Sequence, residues 1–350
     1  MKICMTIIIR LLSILLVIIG VIASTKNLND MFKKTNEVFE WGKYTPIMVK
    51  KSTLHVFNAP KSLVIITPKQ IGVYPLLYFV HGFEIPNYEY TQLFNFIASH
   101  GIIVVAPMLY ENFKFPPSHQ AEIDDAANVA NWLSSNLNMP KPGNPTFHIL
   151  PDNVTANFSN FIASGHSRGG KTAFALVLGL TKTTTLDTKI SGLISLDPVA
   201  GLSIWPFIKL PTEPYILTNV KNSIELMIPT MIIGTGLGGS CAPRGLNHDE
   251  FFRESKLGSH FVATDYGHCD MLNDDVFATL GRMLCGSVKR GSYDGMRRTV
   301  GGLFVAFLDA YFKGRPESYN IVLSNPSVAP VKLHPVKDKG QPVPYFDTQM

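Results

Sequence analysis

Cysteine is scarce in this sequence, four residues in 350, and none of them forms a paired C-x-x-C. With H-E-x-x-H also missing, the familiar signatures of a bound zinc ion are gone. His248, His260, His268, Cys269 and Asp270 lie close enough in sequence for a metal reading to be weighed, and it is set aside on those grounds. No internal repeat and no low-complexity block divides the chain. A basic cluster is lacking too: the net charge is +5 and falls to +3 once Lys2 and Arg10 are set aside, spread without a patch, so there is no nucleic-acid footprint. What remains is a 46% apolar composition over a length that suits one large α/β domain or two small ones.

The N-terminus holds the long apolar run. Lys2 and Arg10 precede Leu11 to Ala23, thirteen residues ending in small side chains. As a helix this run rises only about 20 Å, short of the roughly 30 Å hydrocarbon core of a bilayer, which favours a cleaved secretory signal over a retained anchor. A plastid transit peptide, Ser- and Arg-rich, is the other alternative. Cleavage after Ala23 is expected. In a secretory chain, Asn153 ("NVT") and Asn157 ("NFS") become glycosylation candidates. Cys4 leaves with the signal, so Cys241, Cys269 and Cys285 permit three pairings, of which Cys241 with Cys285 is preferred, Cys269 staying free.

Beyond the leader, apolar strands alternate with helical patterns. Strands are predicted at Ser62 to Lys69, Tyr74 to Gly82, Gly101 to Leu109, the run ending before Ser167, Ile190 to Asp197 and Ile228 to Gly238. Helices are predicted at Thr91 to Gly101, Ala121 to Leu137, after Ser167, and at Arg297 to Gly314. Continuous apolar strands bounded by amphipathic helices imply a mostly parallel sheet covered on both faces, an α/β fold in one domain. The division expected is a signal at 1–23, a catalytic domain at 24–314, and a Pro-rich tail at 315–350, extended and packed on the surface or partly disordered.

The chemistry centres on "GHSRG", Gly165 to Gly169, which fits G-x-S-x-G with a strand before it and a helix after. Ser167 then stands on a sharp turn as a nucleophile, with Gly165 and Gly169 keeping the turn tight and the helix N-terminus facing developing negative charge. The bland alternative is a glycine-containing turn with a capping serine. An acid and a base are expected in the order Ser, acid, His. Asp197 ends the following strand, ahead of Pro198, and no carboxylate follows the next strand until Asp249. Among ten histidines, His248, His260 and His268 come at the right stage of the chain; His268, after Gly267, is favoured and His260 held in reserve. The oxyanion hole needs two N–H donors, assigned to Arg168 and to Phe83, with Gly82 allowing close approach. Pro86 to Phe94 and Trp205 to Phe207 are plausible pocket lining.

"YFVHGF", "IASHGIIVVAP", "ASGHSRGGKTAFALVLGL", "LDPVAG", "YGHCDMLN" and "MRRTVGGLFVAFLDAYF" together resemble the plant chlorophyllases, over Lys50 to Gly314. The resemblance implies an α/β-hydrolase that cleaves the phytyl ester of chlorophyll to chlorophyllide and phytol without a metal or organic cofactor. It also implies Ser167 as nucleophile, Asp197 as acid and His268 as base. Peripheral membrane contact is a further expectation. Family members carry leaders of plastid and of secretory type; here the Ile/Leu run points to the endoplasmic reticulum and the vacuole, with the chloroplast as alternative. A generic carboxylesterase or lipase, and a non-catalytic binding protein on the same fold, are the rival readings.

Overall fold

The computed structural model describes residues 37–110, 117–204, 208–289, 291–334 and 336–342. The leader and its expected cleavage site lie outside the described residues, as does Trp205 to Phe207. In chain order the elements are β1 (Pro46–Met48), α1 (Lys51–Val56), β2 (Ser62–Pro68), β3 (Gly72–Val80), α2 (Thr91–Ala98), β4 (Ile103–Met108), α3 (His119–Asn136), β5 (Val154–His166) and α4 (Arg168–Val177). There follow β6 (Gly192–Leu196), β7 (Gly201–Ile204), β8 (Ile208–Pro211), β9 (Thr230–Thr235), α5 (His248–Glu254), β10 (Ser259–Ala263), α6 (Val276–Cys285), α7 (Tyr293–Phe312), α8 (Glu317–Ser324) and β11 (Lys337–Asp338).

Nine of these strands form one sheet in the order β1-β2-β4-β3-β5-β6-β9-β10-β11; β7 and β8 pair separately as a hairpin. From β4 to β10 every pairing is parallel, and β1, β2 and β11 are antiparallel additions at the edges. Side chains alternate across the central strands. Leu77 and Phe79 of β3 pack with Leu93 and Phe94 of α2 and Leu303, Phe304 and Phe307 of α7. Leu76, Tyr78 and Val80 face the other way, onto Ile123 and Ala127 of α3, Phe174 of α4 and Phe251 of α5. Each such fully buried Leu or Phe contributes about 1.5–3 kcal/mol relative to exposure, which is why the strands are apolar at both parities. The expected α/β arrangement is thereby the observed one. Longer helices begin where a side chain satisfies the first free N–H groups: Ser118 for α3, Asp275 for α6 and Ser292 for α7, each accepting from the N–H three residues on.

The stretch beyond Gly314 is less extended than its prolines suggest. It opens with α8, and its later residues fasten onto the sheet: β11 pairs with β10, and Gln341 exchanges two hydrogen bonds of 2.7 Å with the backbone of Thr230. Lys339 Nζ donates to the carbonyls of Phe252 (2.7 Å), Arg253 (3.1 Å) and Ser255 (2.7 Å), where α5 ends and its carbonyls lack helical partners.

Candidate active site

Ser167 sits between β5 and α4 with φ +57° and ψ −122°, a conformation that costs a non-glycine residue on the order of 1–3 kcal/mol. The turn is held by its backbone. Ser167 N–H donates to Leu196 O (3.0 Å), and Ser167 O accepts from Lys171 (3.2 Å) and Val199 (3.1 Å). The flanking glycines answer to close approach: a Cβ on Gly165 would lie 2.3 Å from Gly169 O, and one on Gly169 would lie 2.2 Å from Val80 O. Gly82 is less severe, its Cβ falling 3.1 Å from His166 Nδ1 and 3.3 Å from the Ser167 Cβ.

Asp197 follows β6, the strand next to β5, so both residues stand at the carboxyl edge of the sheet, where open α/β folds bind ligands. Its Oδ2 accepts from His268 Nδ1 at 2.6 Å and from Thr235 Oγ1 at 2.6 Å, and its Oδ1 from Thr235 N–H at 3.3 Å. Complete burial pushes the carboxyl upward, but the His268 charge and hydrogen bond, His248 and Thr235 outweigh it and hold the pKa at about 2. An ionised, anchored carboxylate therefore faces one imidazole nitrogen of His268. The other chain requirement here is Gly238, where a Cβ would come 2.4 Å from Thr235 Oγ1 and 3.0 Å from Asp197 Oδ2.

The loop after β3 has two of its N–H groups occupied by tyrosines. Tyr90 Oη accepts from Gly82 N–H (3.0 Å) and meets His166 Nδ1 (2.9 Å); Tyr110 Oη accepts from Glu84 N–H (3.1 Å). Between them, the Phe83 N–H has no acceptor among the described residues. His81 braces the same loop: Leu109 N–H donates to Nε2 (3.1 Å), which leaves Nδ1–H to donate to Gly82 O (2.8 Å). Burial lowers its pKa to about 4, so the ring is neutral as that pattern requires. The Arg168 guanidinium lies over the Phe83 ring, 5.4 Å from its centroid, and is anchored by Glu122 and by Pro117 O.

Ser167, Arg168, Phe83 and His268 line one cavity of about 490 Å³. Its apolar walls are Ile85, Val199, Leu272, Phe277, Leu280 and Leu284, and Glu84, Thr212 and Ser240 add polar groups. The lining expected from Pro86 to Phe94 is not there: Tyr90 and Phe94 are fully buried in the core beneath the site. The sequence reading took Tyr90 only as part of a pocket-lining stretch and passed over Tyr110, Thr235 and the whole of α6. A polar threonine closing an apolar strand was a usable signal for Thr235; the tyrosine clamps had none.

His260, the reserve base, lies in β10 and is absent from that lining; its Nε2 meets His248 Nδ1 at 2.9 Å, while His248 Nε2 stands 3.8 Å from Asp197 Oδ1. His248, Asp249 and His260 present metal-ligating atoms within 4.8 Å of one another, but the hydrogen bond between the two rings engages the nitrogens a cation would need. Asp270 turns elsewhere, accepting from Gly267, Val288 and Ser287, so the five-residue cluster weighed from sequence does not converge. Cys241 and Cys285 are joined by a disulfide and Cys269 is a buried thiol. Asn153, exposed, and Asn157, half-buried, lie at the opposite end of β5 from Ser167.

A mostly parallel sheet with a serine on the sharp turn after a central strand, and an aspartate–histidine pair at the same sheet edge, defines an α/β-hydrolase. Comparison with known proteins narrows the class. The Chlorophyllase family model matches residues 34–340. The chain is 43% identical to "Chlorophyllase type 0" of Chenopodium album over 313 residues, 86% of each protein. It is also 43% identical to "Chlorophyllase-1" of Arabidopsis thaliana over 287 residues, 79% of this chain and 84% of the relative. The same identity holds for "Chlorophyllase-1, chloroplastic" of Citrus unshiu over 292 residues, 79% and 80%. The chain belongs to the chlorophyllase family.

Proposed function

We propose that this hydrolase cleaves the phytyl ester of chlorophyll, releasing chlorophyllide and phytol, with Ser167 as nucleophile, His268 as general base and acid, and Asp197 as its partner. The observation that carries the reading is the 2.6 Å bond from His268 Nδ1 to an ionised Asp197, with His268 and Ser167 lining one cavity. Fixing the proton on Nδ1 leaves Nε2 to take the Ser167 proton as Oγ attacks the ester carbonyl. The oxyanion meets the N–H groups of Phe83 and Arg168, the first set free by its neighbours' tyrosine bonds and the second at the start of α4. His268 then protonates the departing phytol oxygen. Water, deprotonated by the same nitrogen, attacks the acyl-enzyme and returns Ser167 to its hydroxyl form. These side chains suffice for the acyl transfer, and apolar walls suit a substrate with a long hydrocarbon alcohol.

Family membership supports chlorophyll over the rival substrates, since a generic esterase would use the same residues. The test is product analysis after incubation with chlorophyll a in mild detergent, beside Ser167→Ala. Chlorophyllide and phytol are expected from the unaltered protein alone. Hydrolysis of simple esters without chlorophyllide would transfer the reading to a generic esterase, and no hydrolysis of either to a binding protein. The leader is read as a secretory signal and Asn153 as a glycan acceptor; a C-terminal fluorescent fusion found in plastids would reverse both.

A further inference from the structure

Among the described residues, α6 is built inside out. A surface helix ordinarily buries its apolar stripe. Here Val276, Phe277, Leu280, Met283 and Leu284 are 78, 39, 56, 77 and 76% exposed, while the inward face carries Ala278, Gly281, Arg282 and Cys285. Polar and covalent ties hold it in that orientation. Buried Arg282 donates to Leu272 O (2.9 Å) and Asn273 O (3.0 Å), Cys285 is bonded to Cys241, and Gly281 rests against Cys269, where an added Cβ would lie 3.2 Å from its Sγ. The helix cannot roll its leucines inward without breaking these.

The exposed stripe is continuous with the cavity. Phe277, Leu280 and Leu284 belong to both, so the apolar wall around Ser167 passes outward onto the helix surface. Two further exposed apolar residues lie on segments that touch the flanks of the helix: the Leu237 carbonyl abuts Gly286, where a Cβ would stand 2.5 Å from it, and the Tyr88 carbonyl accepts from Asn273. The stripe itself carries no charge: Arg282, the charged residue of α6, is turned inward, and the exposed carboxylates nearby belong to Asp274 and Asp275, which precede the helix, and to Glu84 in the cavity lining. A charged protein partner would find nothing to pair with along the stripe itself, whereas an uncharged apolar stripe on a helix lying flat is the composition that enters a bilayer interface.

We infer that α6 seats the protein on a lipid bilayer surface, with these five side chains in the apolar layer and the cavity mouth opening onto it. The inference rests on the ester reading above, because a phytyl ester is carried in such a layer and would pass from it to Ser167 without crossing water.

The experiment sediments the protein, as processed by a eukaryotic host, with pigment-free phosphatidylcholine vesicles, comparing it with Val276→Asp/Met283→Asp. Neither substituted residue lines the cavity. The unaltered protein is expected to sediment and the double variant to partition about tenfold less or weaker, with hydrolysis of a water-soluble short-chain ester unchanged in both. Val276→Ser/Met283→Ser, which removes apolar surface without adding charge, is expected to fall between them. An unaltered protein that stays in the supernatant overturns the inference, and so does equal sedimentation of all three, which would place the contact on another segment. A dimer, seen by light scattering, that the variant dissolves without any vesicle binding would give the face to a second copy of the chain. Because the vesicles hold no pigment, failure to hydrolyse chlorophyll would strike the substrate reading and leave this result standing.

Discussion

The His248 imidazole occupies the space that a side chain on Gly234 would need: a Cβ there would lie 2.3 Å from its Cγ and Nδ1. The same ring has its Nε2 3.8 Å from Asp197 Oδ1, the oxygen that His268 does not engage, which relates a glycine near the end of β9 to the electrostatics of the site.

Gly234→Ala is therefore expected to displace His248 and to lower stability by about 1–3 kcal/mol, the usual cost of overpacking. Activity on a short ester should fall several-fold as Asp197 loses a neighbour. His248→Ala alone also lowers stability, but the double variant should be less damaged than the two costs summed, because the ring that clashes is gone. Urea denaturation of all four forms measures the coupling, and strict additivity would refute it.

Tyr90→Phe removes the acceptor of the Gly82 N–H inside a fully buried region. A stranded donor costs about 1–3 kcal/mol. With the loop no longer pinned, kcat is expected to drop by about an order of magnitude, less than the ~10²-fold that accompanies loss of an oxyanion donor itself. Steady-state kinetics with a fixed short ester separate this from a KM effect, which should be small.

Lys171, fully buried in α4, donates to Thr212 O and Thr212 Oγ1. Desolvation, aided by the nearby Arg168 charge, holds its pKa at about 7 against roughly 10.4 in an unfolded chain. Between those values the unfolded chain binds a proton that the native protein does not, so stability rises with pH from about 7 to about 10. Below 7 both states are protonated and the full penalty applies. In Lys171→Met this component of the rise should vanish, and a denaturation midpoint difference between pH 7 and pH 9.5 equal to that of the unaltered protein would contradict it.

The disulfide closes a segment with a sequence separation of 44. Replacing both partners by serine is expected to cost about 4 kcal/mol by chain-entropy arithmetic. Cys269 behaves differently. Burial pushes its thiol up to about 12, so an alkylating reagent at pH 8 should leave it unmodified in the native protein and modify it in urea. Peptide mass mapping of Cys269 under both conditions decides.

The central architecture was legible because strands covered on both faces are apolar at every position, and Leu76 to Val80 or Ile103 to Ala106 can be read without knowing their partners. Ser167 was legible for a related reason: the glycines around it are dictated by backbone approaches within a few residues or onto the adjacent strand. Asp197 could be placed because strand order and an Asp-Pro ending are both local. Tyr90, Tyr110 and His248 could not, since each acts through a contact many residues away that leaves no periodic mark. The α6 helix escaped notice because its pattern, read as amphipathic, points its apolar stripe in the direction a soluble core would not allow. Small elements such as β1, α1 and the β7–β8 hairpin are too short for periodicity to register.

Lys339 reaches across to the carbonyl end of α5, whose opposite end begins with His248. A chain shortened to Gly314 would keep every residue assigned to the chemistry and would still forfeit this strut, the β11 edge and the Gln341 clasp on Thr230. Its loss would be felt first as a loosened α5 and a wandering imidazole, so a purification tag belongs beyond Gln341, and a trimmed catalytic core is a different protein from the intact one.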